Sequence, residues 1–174
     1  MKKIKTKLAL GTITCGLLFS LATFNTSKIS ANTASITTPN TSIIDDVKIS
    51  YTGAWETFIW APNQSFVDVF HNKTRHISNQ KDSVMNYTFT GTGIDWYGNR
   101  SVDYGYAEVF IDGNYSATIN LYEKRGPGPL NPRLIYPIRG LEFGQHTLEI
   151  KTLGKKDPKS GNTFVDIDYL EIHN

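Results

Sequence analysis

Beyond residue 44 the apolar residues recur at every second position, in short runs broken by Gly, Asn, Asp and Pro, and almost nowhere at helical spacing. Val47-Ile49-Tyr51, Met85-Tyr87-Phe89, Ile94-Trp96 and Ala107-Val109-Ile111 alternate in this way. So do Tyr115-Ala117-Ile119-Leu121, Leu134-Tyr136-Ile138, His146-Leu148-Ile150 and Val165-Ile167-Tyr169. Period-two alternation places one apolar row on one face of a strand. Asp112-Gly113 between two such runs is a hairpin signal, because both residues tolerate positive φ. Eight or nine short strands with regular turns predict an all-β, antiparallel β-sandwich.

The first 31 residues do not share this pattern. Lys2, Lys3, Lys5 and Lys7 precede an uncharged apolar run over 8–24, and small and polar residues follow up to Ala31. This is the order of a secretory signal peptide, with cleavage expected near Ala31. The run sits at the short end of a membrane span and contains Gly11, Gly16 and Ser20. Residues 32–44, rich in Thr, Ser and Asn, read as a disordered spacer, leaving 45–174 as one domain. The product is expected to be secreted, with no membrane contact after cleavage.

Charge and cysteine then change meaning. All sixteen acidic residues lie beyond position 31, whereas five of the eighteen basic residues lie before it. The remainder carries thirteen basic against sixteen acidic groups, and no basic patch that would bind nucleic acid. The single cysteine, Cys15, lies in the apolar run. A secreted domain without disulfides depends on its core, and about 143 residues are enough to build one.

The stretch 90–113, TGTGIDWYGNRSVDYGYAEVFIDG, places aromatic residues on both faces of its strands. One face belongs to the sandwich core. Aromatic groups on the other are covered by loops or form a binding surface.

Three segments carry a family pattern: DSVMNYTFTGTGIDWYG, DYGYAEVFIDG, and GLEFGQHTLEIKTLGKKDPKSGNTFVDIDYLEI. Phe89-Gly91-Gly93, Ile94/Trp96, Asp103-Gly105-Ala107-Val109-Ile111-Asp112-Gly113, Gly144-His146-Leu148 and Val165-Ile167-Asp168 follow in the family order. The chain resembles the galactose-binding-like jelly-roll modules appended to secreted glycosidases of bacteria and fungi. The resemblance spans about 45–174 and implies a jelly roll that binds carbohydrate without catalysis. Such modules accompany a catalytic domain, which this sequence lacks. The expected partner is therefore carbohydrate, with a separately encoded glycosidase or surface protein as a further partner.

Candidate ligand residues follow from these readings. Trp96 shares a face with Ile94 and is expected inside, which turns Tyr97 outward, where its ring could stack on a sugar or be an ordinary surface tyrosine. Arg100, Asp103 and Tyr104 lie in the 98–105 connection. Arg100 and Asp103 would read hydroxyls or pair with each other. His76 and Ser78 match polar positions of the family, and His76 would bond a hydroxyl or a backbone carbonyl. Trp55 and Trp60 lie five apart, and Trp55 is taken as the one bordering the site. Tyr122 ends a strand at the Pro/Gly-rich loop 122–133.

No cofactor is required. Asp45 and Asp46 open the first strand and Asp166 and Asp168 close the last. Since the terminal strands lie side by side in related jelly rolls, Asp46 and Asp168 could hold a structural Ca²⁺. Charged edge strands that resist edge-to-edge pairing are the other reading. Nucleophile-elbow, zinc-protease and phosphate-loop motifs are absent. A protein-interaction or adhesin module is the alternative function, and a small glycan-active hydrolase or lyase a third.

Overall fold

The computed structural model describes residues 40–59, 70–124 and 131–174. The expected signal peptide, most of the spacer, Trp60 and Arg125 lie outside the described residues. From Thr37 to Asn174 the chain forms one compact unit.

Among the described residues, ten strands form two antiparallel sheets, as the alternation predicts. They are β1 (Thr41–Asp45), β2 (Ser50–Thr52), β3 (Glu56–Ile59), β4 (Thr74–Ser78), β5 (Val84–Gly98), β6 (Gly105–Ile111), β7 (Asn114–Asn120), β8 (Arg133–Lys156), β9 (Val165–Ile167) and β10 (Tyr169–His173). The larger sheet runs β1-β10-β5-β8-β6-β7, with β2 beside the first half of β5. The smaller runs β3-β4-β9. Ile77, Val165 and Ile167 of the small sheet belong to one core with Met85, Phe89, Ile94, Trp96, Val109, Leu148, Ile150 and Leu170 of the large one.

Two pairs of runs that read as separate strands are each continuous. β5 joins Met85-Tyr87-Phe89 to Ile94-Trp96 through a register shift between Gly91 and Gly93. A side chain at either glycine would run into a backbone carbonyl, of His173 and Ile138 respectively. Across this shift the inward-facing parity of β5 changes: Met85 and Phe89 before it, Ile94 and Trp96 after it. β8 likewise runs through Gly140 and Gly144.

The Asp112-Gly113 hairpin forms between β6 and β7, with φ of 52° and 75° at the two residues. This matches the doubly positive φ of a type I′ turn. The expected boundary near residue 45 needs correction. β1 begins at Thr41, and Asp45 closes it rather than opening it, because Thr41 to Asp45 find backbone partners on β10. Asp46 then starts a short 3-10 turn, Asp46–Lys48, for which the Asp45 carboxylate is the N-cap.

Candidate functional site

The final strand explains the site. β9 belongs to the small sheet and β10 to the large one, and only Asp168 separates them. Asp168 is where the chain crosses the sandwich, so its neighbours come from both layers. Its N–H donates to the Tyr97 carbonyl at 3.0 Å, and its own carbonyl accepts from Asp46 N–H at 3.2 Å. Its side chain is fully buried. Oδ1 accepts from His71 N–H at 3.0 Å, whereas Oδ2 is buried with no hydrogen-bond partner among the described residues. Burial, followed by the carboxylates of Asp166, Asp46 and Asp45, raises its pKa to about 8 against the opposing His71 hydrogen bond.

The other three carboxylates are occupied. Asp166 accepts from Asn99 N–H at 2.7 Å, Asn99 Nδ2 at 2.6 Å, Arg75 Nη1 at 2.9 Å and Tyr104 Oη at 3.0 Å. Asp46 accepts from Thr74 Oγ1 and meets His76 Nδ1, both at 2.6 Å. Asp45 holds Val47 N–H at 3.2 Å and Asn72 Nδ2 at 2.6 Å, with His71 Nε2 at 3.7 Å.

A cleft of about 370 Å³ opens above Asp168, lined by Ile43, His71, Asn72, Pro132 and Tyr169, with Phe70. Its aromatic wall continues onto the outer face of the large sheet. Register places Tyr169 opposite Tyr97 and Glu171 opposite Asp95. Period two therefore brings Tyr169, Glu171 and His173 to one face, together with Asp95 and Tyr97. The Tyr97 and Tyr169 rings stack 4.3 Å apart and 12° from parallel, and Tyr97 Oη donates to Glu171 Oε2 at 3.2 Å. Burial raises the pKa of both phenols, that of Tyr169 to about 12. Arg139 grips Asp95 with two N–H groups, and His173 Nε2 lies 3.1 Å from the same carboxylate. Ile43 and Leu134 are exposed beside this face.

The sequence candidates divide into separate groups. Trp96 is buried and its Nε1 donates to the Asp166 carbonyl at 3.1 Å, which leaves Tyr97 outward. Tyr104 needs correction. It is 3% exposed, and its hydroxyl is held by Arg75 and Asp166, so it is a core residue and not a ligand-facing loop residue. His76 bonds Asp46, not a backbone carbonyl, and stacks on Tyr51 at 4.1 Å, while its Nε2 meets Thr57 Oγ1 at 2.9 Å. Trp55 packs against Tyr51 in that aromatic stack. Arg100 donates to the Asn120 carbonyl, and among the described residues no ion pair joins it to Asp103. Asp103 is exposed, and its carbonyl accepts from Phe164 N–H. Tyr122 bridges Ser101 at that same strand end. Thus Asp168 lines the cleft, Tyr97 stacks on its lining residue Tyr169, Asp46 and His76 bond each other, and Arg100 and Tyr122 form a separate neighbourhood with Asn120.

Asp46 and Asp168 do not make a calcium cage. Ca²⁺ takes six to eight oxygens, whereas both Asp46 oxygens are spent on Thr74 and His76. Among the described residues, the acid and histidine group whose ligand atoms converge is Asp95, Glu171 and His173. There Arg139 already neutralises Asp95.

The residues that sequence reasoning passed over are His71, Asn72, Tyr169 and Glu171. Only the Tyr-x-Glu-x-His alternation of β10 signalled any of them, and it matters only once β10 lies against β5.

No protein-family profile matches the chain. Over 125 residues, 72% of the chain, it is 32% identical to an A type blood N-acetyl-alpha-D-galactosamine deacetylase of Flavonifractor plautii. Over an equally long stretch it is 28% identical to an A type blood alpha-D-galactosamine galactosaminidase of the same organism. The chain spans 14% and 10% of these relatives' lengths. Among solved structures, a Paenibacillus xanthan lyase matches 76% of the chain at TM-score 0.54 and 11% identity, over 13% of its own length. An exo-beta-1,3-galactanase of Phanerochaete chrysosporium matches 78% at TM-score 0.51 and 10% identity, over 29% of its length. These likenesses show a shared β-sandwich fold.

Proposed function

We propose that this chain is a non-catalytic carbohydrate-binding module of the galactose-binding-like jelly-roll kind, exported by its first 31 residues. The observation that carries this reading is the outward Tyr97–Tyr169 pair beside a polar cleft. A sugar presents a C–H face to an aromatic ring and hydroxyls to polar groups. Tyr169 supplies the ring. His71, Asn72 and Glu171 supply donors and acceptors around it. The two sequence relatives support a glycan ligand, since both are named for action on galactosamine-containing blood-group structures. A glycosidase, or a surface protein, is the second partner this reading implies.

The non-catalytic part rests on how the acids are used. Glycoside hydrolysis needs two carboxyls facing one bond across a cleft. Asp46 and Asp166 are buried and fully hydrogen-bonded, and Asp95 is held by Arg139.

The test is a glycan array probed with the full chain and with Tyr169→Ala. Reproducible hits that the variant loses support the module. A clean negative with folded protein rejects it and favours the protein-interaction reading, for which exposed Ile43 and Leu134 would be the contact residues.

A further inference from the structure

Two irregular segments of the large sheet are joined by a single imidazole. The β5–β8 ladder pairs Gly91 with Gly144 and Gly93 with Arg139, so four residues of β8, 140–143, stand opposite Thr92 alone. Gly140 opens this bulge at a φ of 75°, Leu141 packs against the core, and Phe143 is left 70% exposed. The β6–β7 turn carries Asp112, whose Oδ1 accepts from Thr147 N–H and whose own N–H donates to the Thr147 carbonyl. Between bulge and turn lies His146. Its Nδ1 is 2.8 Å from Asp112 Oδ2, and its Nε2 is 2.8 Å from the Glu142 carbonyl oxygen.

Both of these partners accept and neither donates. A neutral imidazole has one N–H, so it satisfies one of them and turns a lone pair on the other, whereas the imidazolium donates to both. We infer that His146 is a proton-operated clamp, which in its charged form fixes the 140–143 bulge and Phe143 to the β6–β7 turn and in its neutral form lets the bulge go. Asp112 is the stronger acceptor, so the one N–H of the neutral ring stays with it and the Glu142 carbonyl is released. The charges around the ring are few. On β5, Phe89 lies opposite His146 and against its ring, and its neighbours Thr88 and Thr90 pair with Thr147 and Gln145, all of them uncharged. The turn brings Asp112, and the bulge brings the Glu142 carbonyl, Glu142 itself being exposed. The Asp112 hydrogen bond, then that of the Glu142 carbonyl, raise the His146 pKa above its ordinary 6.5 against the opposing effect of burial. The closed clamp is therefore fully stabilised below about pH 6.5, and this stabilisation is lost as pH rises through the folded-state value.

Asp168 also weakens the whole fold as pH rises, so the test reads the bulge itself. The isotope-labelled full chain is titrated by NMR from about pH 5 to about pH 9. The His146 ring resonance is assigned by its loss in His146→Gln. Its expected midpoint lies above 6.5. Backbone order parameters of Leu141, Glu142 and Phe143 should stay near about 0.85 below that midpoint and fall toward about 0.6 above it. Asp112→Asn keeps a residue that tolerates the φ of 52° found here. It should bring the midpoint down to 6.5 or below and carry the loosening of the bulge with it. In His146→Gln the order parameters should no longer depend on pH. A wild-type midpoint at or below 6.5 overturns the inference. So does a raised midpoint that Asp112→Asn leaves in place. Order parameters that stay constant through the wild-type titration, or that still follow pH in His146→Gln, overturn it as well.

Discussion

Tyr97 and Tyr169 face each other across neighbouring strands at 4.3 Å, and the next step along the same strands pairs Asp95 with Glu171. An aromatic pair and a charged group therefore share one outer face without any loop residue. We predict that Tyr169→Ala weakens glycan binding about tenfold or more, the loss of one stacked ring face with part of its buried area. Tyr97→Ala should weaken it less, since Tyr97 supports the Tyr169 ring from behind. Titration with an array-identified glycan, alongside circular dichroism to show intact folding, checks both. Equal, unchanged affinity would move the site away from this face.

Asp166 ties both ends of the β5–β6 connection, through Asn99 and Tyr104, to Arg75 of the small sheet. Removing one member of a buried ion pair leaves the other charge uncompensated, which costs about 3–5 kcal/mol. Asp166→Ala should therefore approach unfolding at room temperature. Tyr104→Phe removes a single hydroxyl from the same group and should cost about 1–2 kcal/mol by urea denaturation. Gly98→Ala belongs to the same test, because a methyl there would lie 2.7 Å from the Asp166 carbonyl. A Tyr104→Phe protein as stable as wild type would show that the buried network is not cooperative.

Asp168 makes stability depend on pH with a definite sign. Its folded pKa is raised to about 8 from an ordinary 3.8, with burial as the main cause. The folded state then holds a proton that the unfolded state has lost, and stability follows the proton difference. This contribution is complete below about pH 4 and is lost as pH rises toward 8. The Asp168→Asn protein should lack this decline. Melting temperatures of the two proteins between pH 5 and about 9 should diverge as pH rises, with wild type falling faster. Parallel curves would mean that Asp168 is ionised in the folded protein throughout.

The carboxylates near Asp168 are committed to protein donors rather than to a metal. Adding millimolar Ca²⁺ should therefore shift the melting temperature by less than about 1 °C, since a ligand stabilises only in proportion to its binding. Asp46→Asn should change that null result little. A large calcium-dependent rise that Asp46→Asn abolishes would restore the metal site.

The hairpin tip isolates a purely local term. At Gly113, φ is 75° and an added methyl would meet nothing within 4 Å. Gly113→Ala should lower stability by about 1 kcal/mol through backbone strain alone, read by denaturation. A neutral result would show that the turn changes type at no cost.

What the sequence determined by itself is what short-range physics controls. Alternation of period two set the strands, because successive side chains point to opposite faces whatever the partner strand. Asp112-Gly113 set the hairpin, because positive φ is a local steric property. Trp96 was legible as inward and Tyr97 as outward from their positions beside Ile94. Only the tertiary structure decided the rest. Tyr104 reads as a loop residue until β4 brings Arg75 and β9 brings Asp166 to its hydroxyl. His76 reads as a partner for a hydroxyl or a backbone carbonyl until Asp46, thirty residues earlier, closes on it. Tyr169 becomes half of an aromatic pair only when β10 lies against β5. These contacts join residues far apart in the chain, and their geometry follows from strand order and register, which alternation alone does not encode.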